Sequence, residues 1–347
     1  MNDLVKKLYR DKALSKSEFT ELINSGESVR EELRALAEKL RIENYGNDIY
    51  IRGLIEFTNY CKQNCLYCGI RRDNKGCRRY RLSFDEIMSC CGEGYRLGFR
   101  TFVLQGGEDP YFTDDRICEI ITAIKKKYPD CALTLSIGEK PRESYQRYFD
   151  CGADRYLLRH ETANAEHYGK LHPESQKLEN RINCLYSLKE IGYQVGCGFM
   201  VGSPYQTAEN LAEDLLFIKQ LNPQMVGIGP FIHHNETEFK DFPDGTLEQT
   251  LLMLSIIRVM LPKVLLPATT ALATIHPKGR ELGIKAGANV VMPNLSPVSV
   301  RKDYQLYDNK VCTGEESAEC KNCLQRRVES IGCKIVVARG DSKNSGK

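Results

Sequence analysis

Apolar residues along this chain follow two different periods. Over the first 45 residues they recur at helical spacing, as at Leu33, Leu36, Ala37 and Leu40, which predicts an N-terminal helical segment at 1–45. Beyond it, short apolar runs alternate with amphipathic stretches. The runs are IYIRGLIEF from Ile49, TFVLQ from Thr101, ALTLSIG from Ala132, RYLLRHE from Arg155, VGCGFMVG from Val195, MVGIGPF from Met225, VLLPATT from Val264 and ANVVMP from Ala288. Helical patterns stand between them at 84–98, 114–127, 142–150, 178–191, 208–220, 247–260 and 278–286. This alternation predicts an α/β fold with a parallel sheet, and eight runs fit a closed (β/α)8 barrel over 46–300. An open doubly wound sheet is the alternative, but the glycine fingerprint expected after its first strand is replaced by a group of cysteines. From about residue 300 the alternation breaks. Residues 301–335 form a C-terminal segment with three spaced cysteines, and 336–347, ending RGDSKNSGK, reads as a polar, disordered tail.

A parallel barrel gathers its chemistry at the C-terminal ends of its strands. Polar residues there, namely Gln105 to Glu108, Ser136, Glu139, Arg159 to Thr162, Thr269 and Thr270, should therefore converge on one cavity. Composition narrows the setting. A net charge of +3 with basic residues spread along 347 positions gives no reason to expect a nucleic-acid partner. No apolar stretch reaches the roughly 20 residues of a spanning helix, and the charged N-terminus lacks a signal-peptide core. A cytoplasmic protein, not a membrane one, is expected. Fifteen cysteines in that reducing setting are better read as ligands and small core residues than as disulfides.

One group has ligand spacing. Cys61, Cys65 and Cys68 form C-x3-C-x2-C directly after the first predicted strand. Three thiolates satisfy three irons of a [4Fe-4S] cubane and leave the fourth without a protein ligand. An open iron can be chelated by the amino and carboxylate groups of S-adenosylmethionine, whose reductive cleavage gives a 5′-deoxyadenosyl radical. The competing readings are a zinc site, which wants a fourth ligand that only Cys77 offers nearby, a ferredoxin-like site lacking its fourth cysteine, and unrelated buried thiols. Cys77, Cys90, Cys91, Cys118, Cys131, Cys151, Cys184, Cys197 and Cys333 show no ligand spacing.

The triplet, with Tyr67 before its third cysteine, resembles the signature of the radical S-adenosylmethionine (SAM) superfamily. Gln105-Gly106-Gly107-Glu108 resembles its GGE motif, which holds the methionyl amino group. Further blocks from about residue 35 to 335, among them TLSIGE, GADRYLLRHETAN, ENRINCLYSLKEIGY, LPATTALATI and GANVVMPN, resemble the HydE family, radical SAM maturases of [FeFe]-hydrogenase related to biotin synthase and methylornithine synthase. The resemblance implies a full barrel with a large cavity. It implies SAM contacts by Ser136 and Glu161 and pairing of Arg181 with the methionyl carboxylate. It implies a substrate, Fe(CO)2(CN)(cysteine), made by HydG, whose cysteine sulfur is attacked by the adenosyl radical, with HydF as a further partner and an external electron donor. Arg155 and Arg159, four apart in one strand run, point to one face. Buried arginines need anionic partners, so both are expected to pair with acids or receive substrate in the cavity. Thr269 and Thr270 add hydroxyls there, and Tyr304 and Tyr307 could close it.

Cys312, Cys320 and Cys323 resemble the accessory site of some HydE members, where a second [2Fe-2S] or [4Fe-4S] cluster sits; zinc or bare thiols are the alternatives. Two stretches depart from the family. Ser203 and Tyr205 in VGSPYQT stand where Gly-Leu-Pro-Gly-Gln-Thr is usual, and His233-His234 replaces a proline-bearing stretch. Adjacent histidines face opposite ways and read as loop residues. Rival functions are a mutase or synthase acting on an organic amino acid, as methylornithine synthase does, and a non-catalytic iron-complex scaffold.

Overall fold

The eight apolar runs become eight parallel strand positions that meet around a ring. The computed structural model describes residues 1–311 and 321–344. Three helices lead in: α1 (Asp3–Asp11), α2 (Lys16–Ile23) and α3 (Glu27–Tyr45). Asn2 caps the first, and Ser15 with Glu18 forms a capping box on the second. The first barrel position is split into β1 (Asp48–Ile51) and β2 (Gly53–Thr58). Next come α4 (Phe84–Arg96), β3 (Thr101–Gly106), α5 (Asp114–Lys127), β4 (Ala132–Ser136) and α6 (Arg142–Asp150). They are followed by β5 (Arg155–Leu157), α7 (Ala165–Leu171), α8 (Leu178–Ile191), β6 (Gln194–Cys197), β7 (Met200–Val201) and α9 (Ala208–Leu221). The remainder is β8 (Met225–Val226), β9 (Gly229–Pro230), α10 (Leu247–Met260), α11 (Thr270–Ile275), α12 (Gly279–Lys285), β10 (Val290–Val291), α13 (Val298–Arg301), α14 (Lys321–Glu329) and β11 (Lys334–Val336).

The sheet runs β2-β3-β4-β5-β6-β8, all parallel. Single bridges carry it on: Met225 to Leu265, Pro267 to Val290, and Leu54 to Asn294, which returns to the first position. Pairing of β1 with β10 reinforces that return. All six residues of β2 are buried, as a strand covered on both faces requires. Helix α10 is apolar on every side and buried from Thr250 to Met260. Its one cation, Arg258, is satisfied by Gly287, Pro262 and Val264 carbonyls and by Asn289 Oδ1. No helix among the described residues is long and apolar enough to cross a membrane.

The tail is not disordered where it is described. β11 pairs with β1, and residues 339–342 lie across the N-terminal end of the barrel. Arg339 O accepts from Thr101 Oγ1 at 2.7 Å and from Arg155 Nη2 at 2.9 Å. Asp341 accepts from Arg155, Arg339 and Gln194, and Ser342 N donates to Gln194 Oε1 at 3.2 Å. Arg155 is thus fixed at the barrel's base, 3% exposed, and does not enter the cavity with Arg159 as its spacing suggested. Residues 345–347 lie outside the described residues.

Partial burial works against the Asp341 carboxylate, but hydrogen bonds from Arg339 and Gln194 and the Arg155 charge outweigh it and hold its pKa below the usual range. A depressed carboxyl contributes stability above its unfolded pKa, about 3.9, and loses it as pH falls through the folded value. The melting temperature of Asp341→Asn should therefore lie below the parent's at neutral pH, with the gap closing below about pH 4. A gap that is unchanged at low pH would refute this.

Candidate active site

A cavity of about 330 Å³ opens at the C-terminal ends of the strands. Its first wall is the loop after β2, which has no regular structure and is held by one guanidinium. Arg79 donates to the carbonyls of Asn59, Ile70, Arg71 and Asn74 at 2.5–3.1 Å. Cys61, Cys65 and Cys68 all line the cavity from this loop, with Tyr67. Burial pushes the Cys65 thiol up to about 12 and Cys68 well above its ordinary range, so uncompensated thiolates are unfavourable here. No three His, Cys, Asp or Glu among the described residues converge on a single ion.

The second wall is Gly106-Gly107-Glu108 at the end of β3. A Cβ on Gly107 would meet Tyr60 O at 2.2 Å and Cys61 Cβ at 2.7 Å, so this glycine is needed for close approach to the cysteine loop itself. Glu108 is the clasp. Its backbone N–H points at Cys61 Sγ at 3.4 Å, its carbonyl accepts from Lys62 N, and its carboxylate accepts from Gln63 Nε2 and Glu139 N. Ser136 and Arg181 follow round the wall. Arg181 donates to Glu139 Oε1 and to Arg159 O.

Glu161 sits where β5 has ended, in the left-handed region at φ +67°. Such a conformation costs a non-glycine residue roughly 1–2 kcal/mol and is held from three sides. Its N–H donates to Gly198 O, Gly198 N donates to His160 Nδ1, and Ala163 N donates to Asp214 Oδ1. With Nδ1 accepting, the His160 proton is on Nε2, which lies 3.3 Å from Asp214 Oδ1 with both side chains fully buried. Asp214→Ala strands Ala163 N–H and His160 in that site. A destabilisation of about 2–3 kcal/mol is expected, measured by denaturant unfolding.

Arg159 Nη2 lies 3.1 Å from Glu161 Oε2, yet neither atom makes an aligned hydrogen bond, and Arg159 Nε and Thr269 Oγ1 are likewise buried without partners. Thr269, Thr270, Tyr304 and Tyr307 complete the far side, with Gln105 Nε2 donating to Tyr304 OH at 3.4 Å. Sequence reasoning missed Lys310, which reaches the cavity and pairs with buried Glu56 while donating to Tyr304 O. It also missed Gln176, His172 and Arg79. Nothing in local spacing marks these: Lys310, Gln176 and His172 reach residues far away in sequence, and Arg79 acts by folding its own irregular loop.

The matrix of departures is also resolved. Tyr205 occupies φ +64°, where the usual glycine meets no penalty, and its ring packs against Phe242 and Phe239. His233 faces Asp244 and His234 faces Asp308, as loop residues rather than a metal pair. Cys312 and Cys320 lie outside the described residues, and Cys323 is half-buried in α14.

Residues 55–218 match the model of the radical SAM superfamily. Over 327 residues the chain is 46% identical to the [FeFe] hydrogenase maturase subunit HydE of Thermotoga maritima, covering 92% of this chain and 93% of that protein. The chain belongs to the HydE family of radical SAM enzymes. It is also 30% identical to 3-methylornithine synthase of Methanosarcina barkeri, over 88% of this chain and 85% of the relative. The solved structure of methylornithine synthase superposes with a TM-score of 0.85 at 28% identity, covering 96% and 97% of the two chains. HydG superposes at 0.81 with 21% identity over 97% of this chain and 76% of its own, a likeness of fold.

As a radical SAM enzyme this HydE-family protein uses a [4Fe-4S] cluster and S-adenosylmethionine. The residues present fit both. Three thiols share one wall, and Glu161 Oε2, beside Arg159 but without an aligned hydrogen bond, is an acceptor suited to ribose hydroxyls or an ammonium.

Proposed function

We propose that this protein is an [FeFe]-hydrogenase maturase that acts on an Fe(CO)2(CN)(cysteine) precursor supplied by HydG, passes its product toward HydF, and takes electrons from an external donor in the cytoplasm. The observation that carries the reading is identity of 46% along nearly the whole of both chains. The cavity chemistry agrees with it. In our assignment Cys61, Cys65 and Cys68 hold the cluster, while Tyr67, Gly106, Gly107, Glu108, Ser136, Glu161 and Arg181 form the SAM site. Bound there and reduced, a [4Fe-4S] cluster would supply the electron that splits SAM into methionine and a 5′-deoxyadenosyl radical. Arg159, with two buried N–H groups to offer, receives the anionic groups of the substrate. Thr269 and Thr270 donate hydroxyls beside it, and Tyr304 and Tyr307 exclude water from the C-terminal side. Arg155 has no part in this. A second cluster on Cys312, Cys320 and Cys323 is assigned no catalytic role.

A second reading, radical rearrangement of an organic amino acid, draws on the similarity to methylornithine synthase. Co-expression of a hydrogenase with its other maturases separates them. Hydrogenase activity that appears only when this protein is present supports the maturase. Activity that is equal without it, combined with turnover of a basic amino acid, supports the second reading.

A further inference from the structure

The end of α7 and the stretch that follows it, residues 171–176, touch the cysteine loop at three points. Leu66 N donates to Leu171 O at 3.0 Å. Tyr67 OH lies 3.3 Å from His172 Nε2, and Cys65 Sγ lies 3.4 Å from Gln176 Oε1. The second contact has a fixed direction. Burial, with Arg181 nearby, holds the His172 pKa down to about 3, so the ring is neutral. Its Nδ1 is 3.0 Å from Tyr168 O and must carry the proton, which leaves Nε2 to accept from Tyr67.

The third contact has no such anchor. Gln176 is 8% exposed, its amide oxygen faces Cys65, and its Nε2 has no partner. With a free thiol, Cys65 donates to that oxygen. An iron-bound sulfur has no proton to give and would face a carbonyl dipole of the wrong sign. Turning the carboxamide over exchanges two atoms of nearly equal size. The same turn places an N–H on the sulfur and ends the isolation of Nε2, whose burial without a partner is costly.

We infer that Gln176 donates an N–H···S hydrogen bond to the Cys65 sulfur in the loaded protein and thereby tunes the reduction potential of the cluster. This rests on the assignment of the cysteine triplet as ligands. Hydrogen bonds to cluster sulfurs favour the more negative, reduced state and are one of the determinants of potential. The Glu108 backbone N–H on Cys61 is a second such donor, but no side-chain substitution removes it. Gln176 is the donor that mutation can isolate.

The test uses the full chain, reconstituted anaerobically with iron and sulfide and without SAM, in a redox titration followed by electron paramagnetic resonance. Gln176→Met keeps the length of the side chain but offers no N–H, and Gln176→Glu replaces the donor with a carboxylate. With iron content equal to the parent's, Gln176→Met should shift the reduction equilibrium toward the oxidised form about tenfold, or 59 mV for one electron, and Gln176→Glu further. An unshifted potential in Gln176→Met overturns the inference and leaves the triplet assignment standing. Should Gln176→Met not retain the cluster, the parent carrying ¹⁵N in its glutamine side chains gives an independent reading. Coupling of that nitrogen and an exchangeable proton to the reduced cluster is expected, and its absence overturns the inference. A parent that builds no cluster through Cys65 overturns the ligand assignment, and this inference with it.

Discussion

Replacing Cys65 with alanine should abolish 5′-deoxyadenosine formation and hydrogenase maturation, whereas Cys320→Ala should leave both close to the parent's. A cubane held by two thiolates loses a ligand for one of its three protein-bound irons. Cys65 also tolerates a thiolate poorly without metal, because burial takes its pKa to about 12. The loop around it stays folded, since Arg79 and the Glu108 clasp hold it independently of the thiol. Loss of activity in a protein of unchanged melting temperature is therefore the expected pattern. Equal loss from Cys320→Ala would place essential chemistry at the C-terminal cysteines and reverse their ranking.

Arg159→Met should separate the two halves of the reaction. Arg181 is tied to Glu139, and Lys310 to Glu56; Arg159 faces Glu161 at 3.1 Å, but two of its N–H groups are buried without aligned hydrogen bonds. Losing a buried charge contact to substrate costs about 2–5 kcal/mol, so maturation should fall by on the order of 10²–10³-fold at 1.4 kcal/mol per decade. SAM affinity should change little. Arg159→Lys keeps charge without the fork and should be intermediate. Weakened SAM binding with normal substrate turnover would move Arg159 to the SAM end of the cavity.

The barrel was legible because each strand position is an apolar run of its own, and much of the cavity lining because it falls at strand ends. Arg155 and Arg159 show where pattern reading fails. They do share the strand's inward direction, but four residues at about 3.3 Å each separate the base of a barrel from its mouth. β5 also ends at Leu157, so Arg159 is already in the turn. The tail was misread for a related reason. RGDSK is polar enough to be solvated, yet Arg155 at the base needs a carboxylate and Asp341 supplies it. Lys310 and Glu56 are invisible in sequence because their pairing spans 254 residues.

Because residues 339–342 cross the underside of the barrel, a linker following Asn344 would emerge about one strand length, roughly 20 Å, from the cysteine loop. Protein anchored to a solid support by such a linker would present its cavity mouth outward. A soluble reductant would reach it freely, while direct wiring of the cluster to an electrode would call for attachment at the other pole.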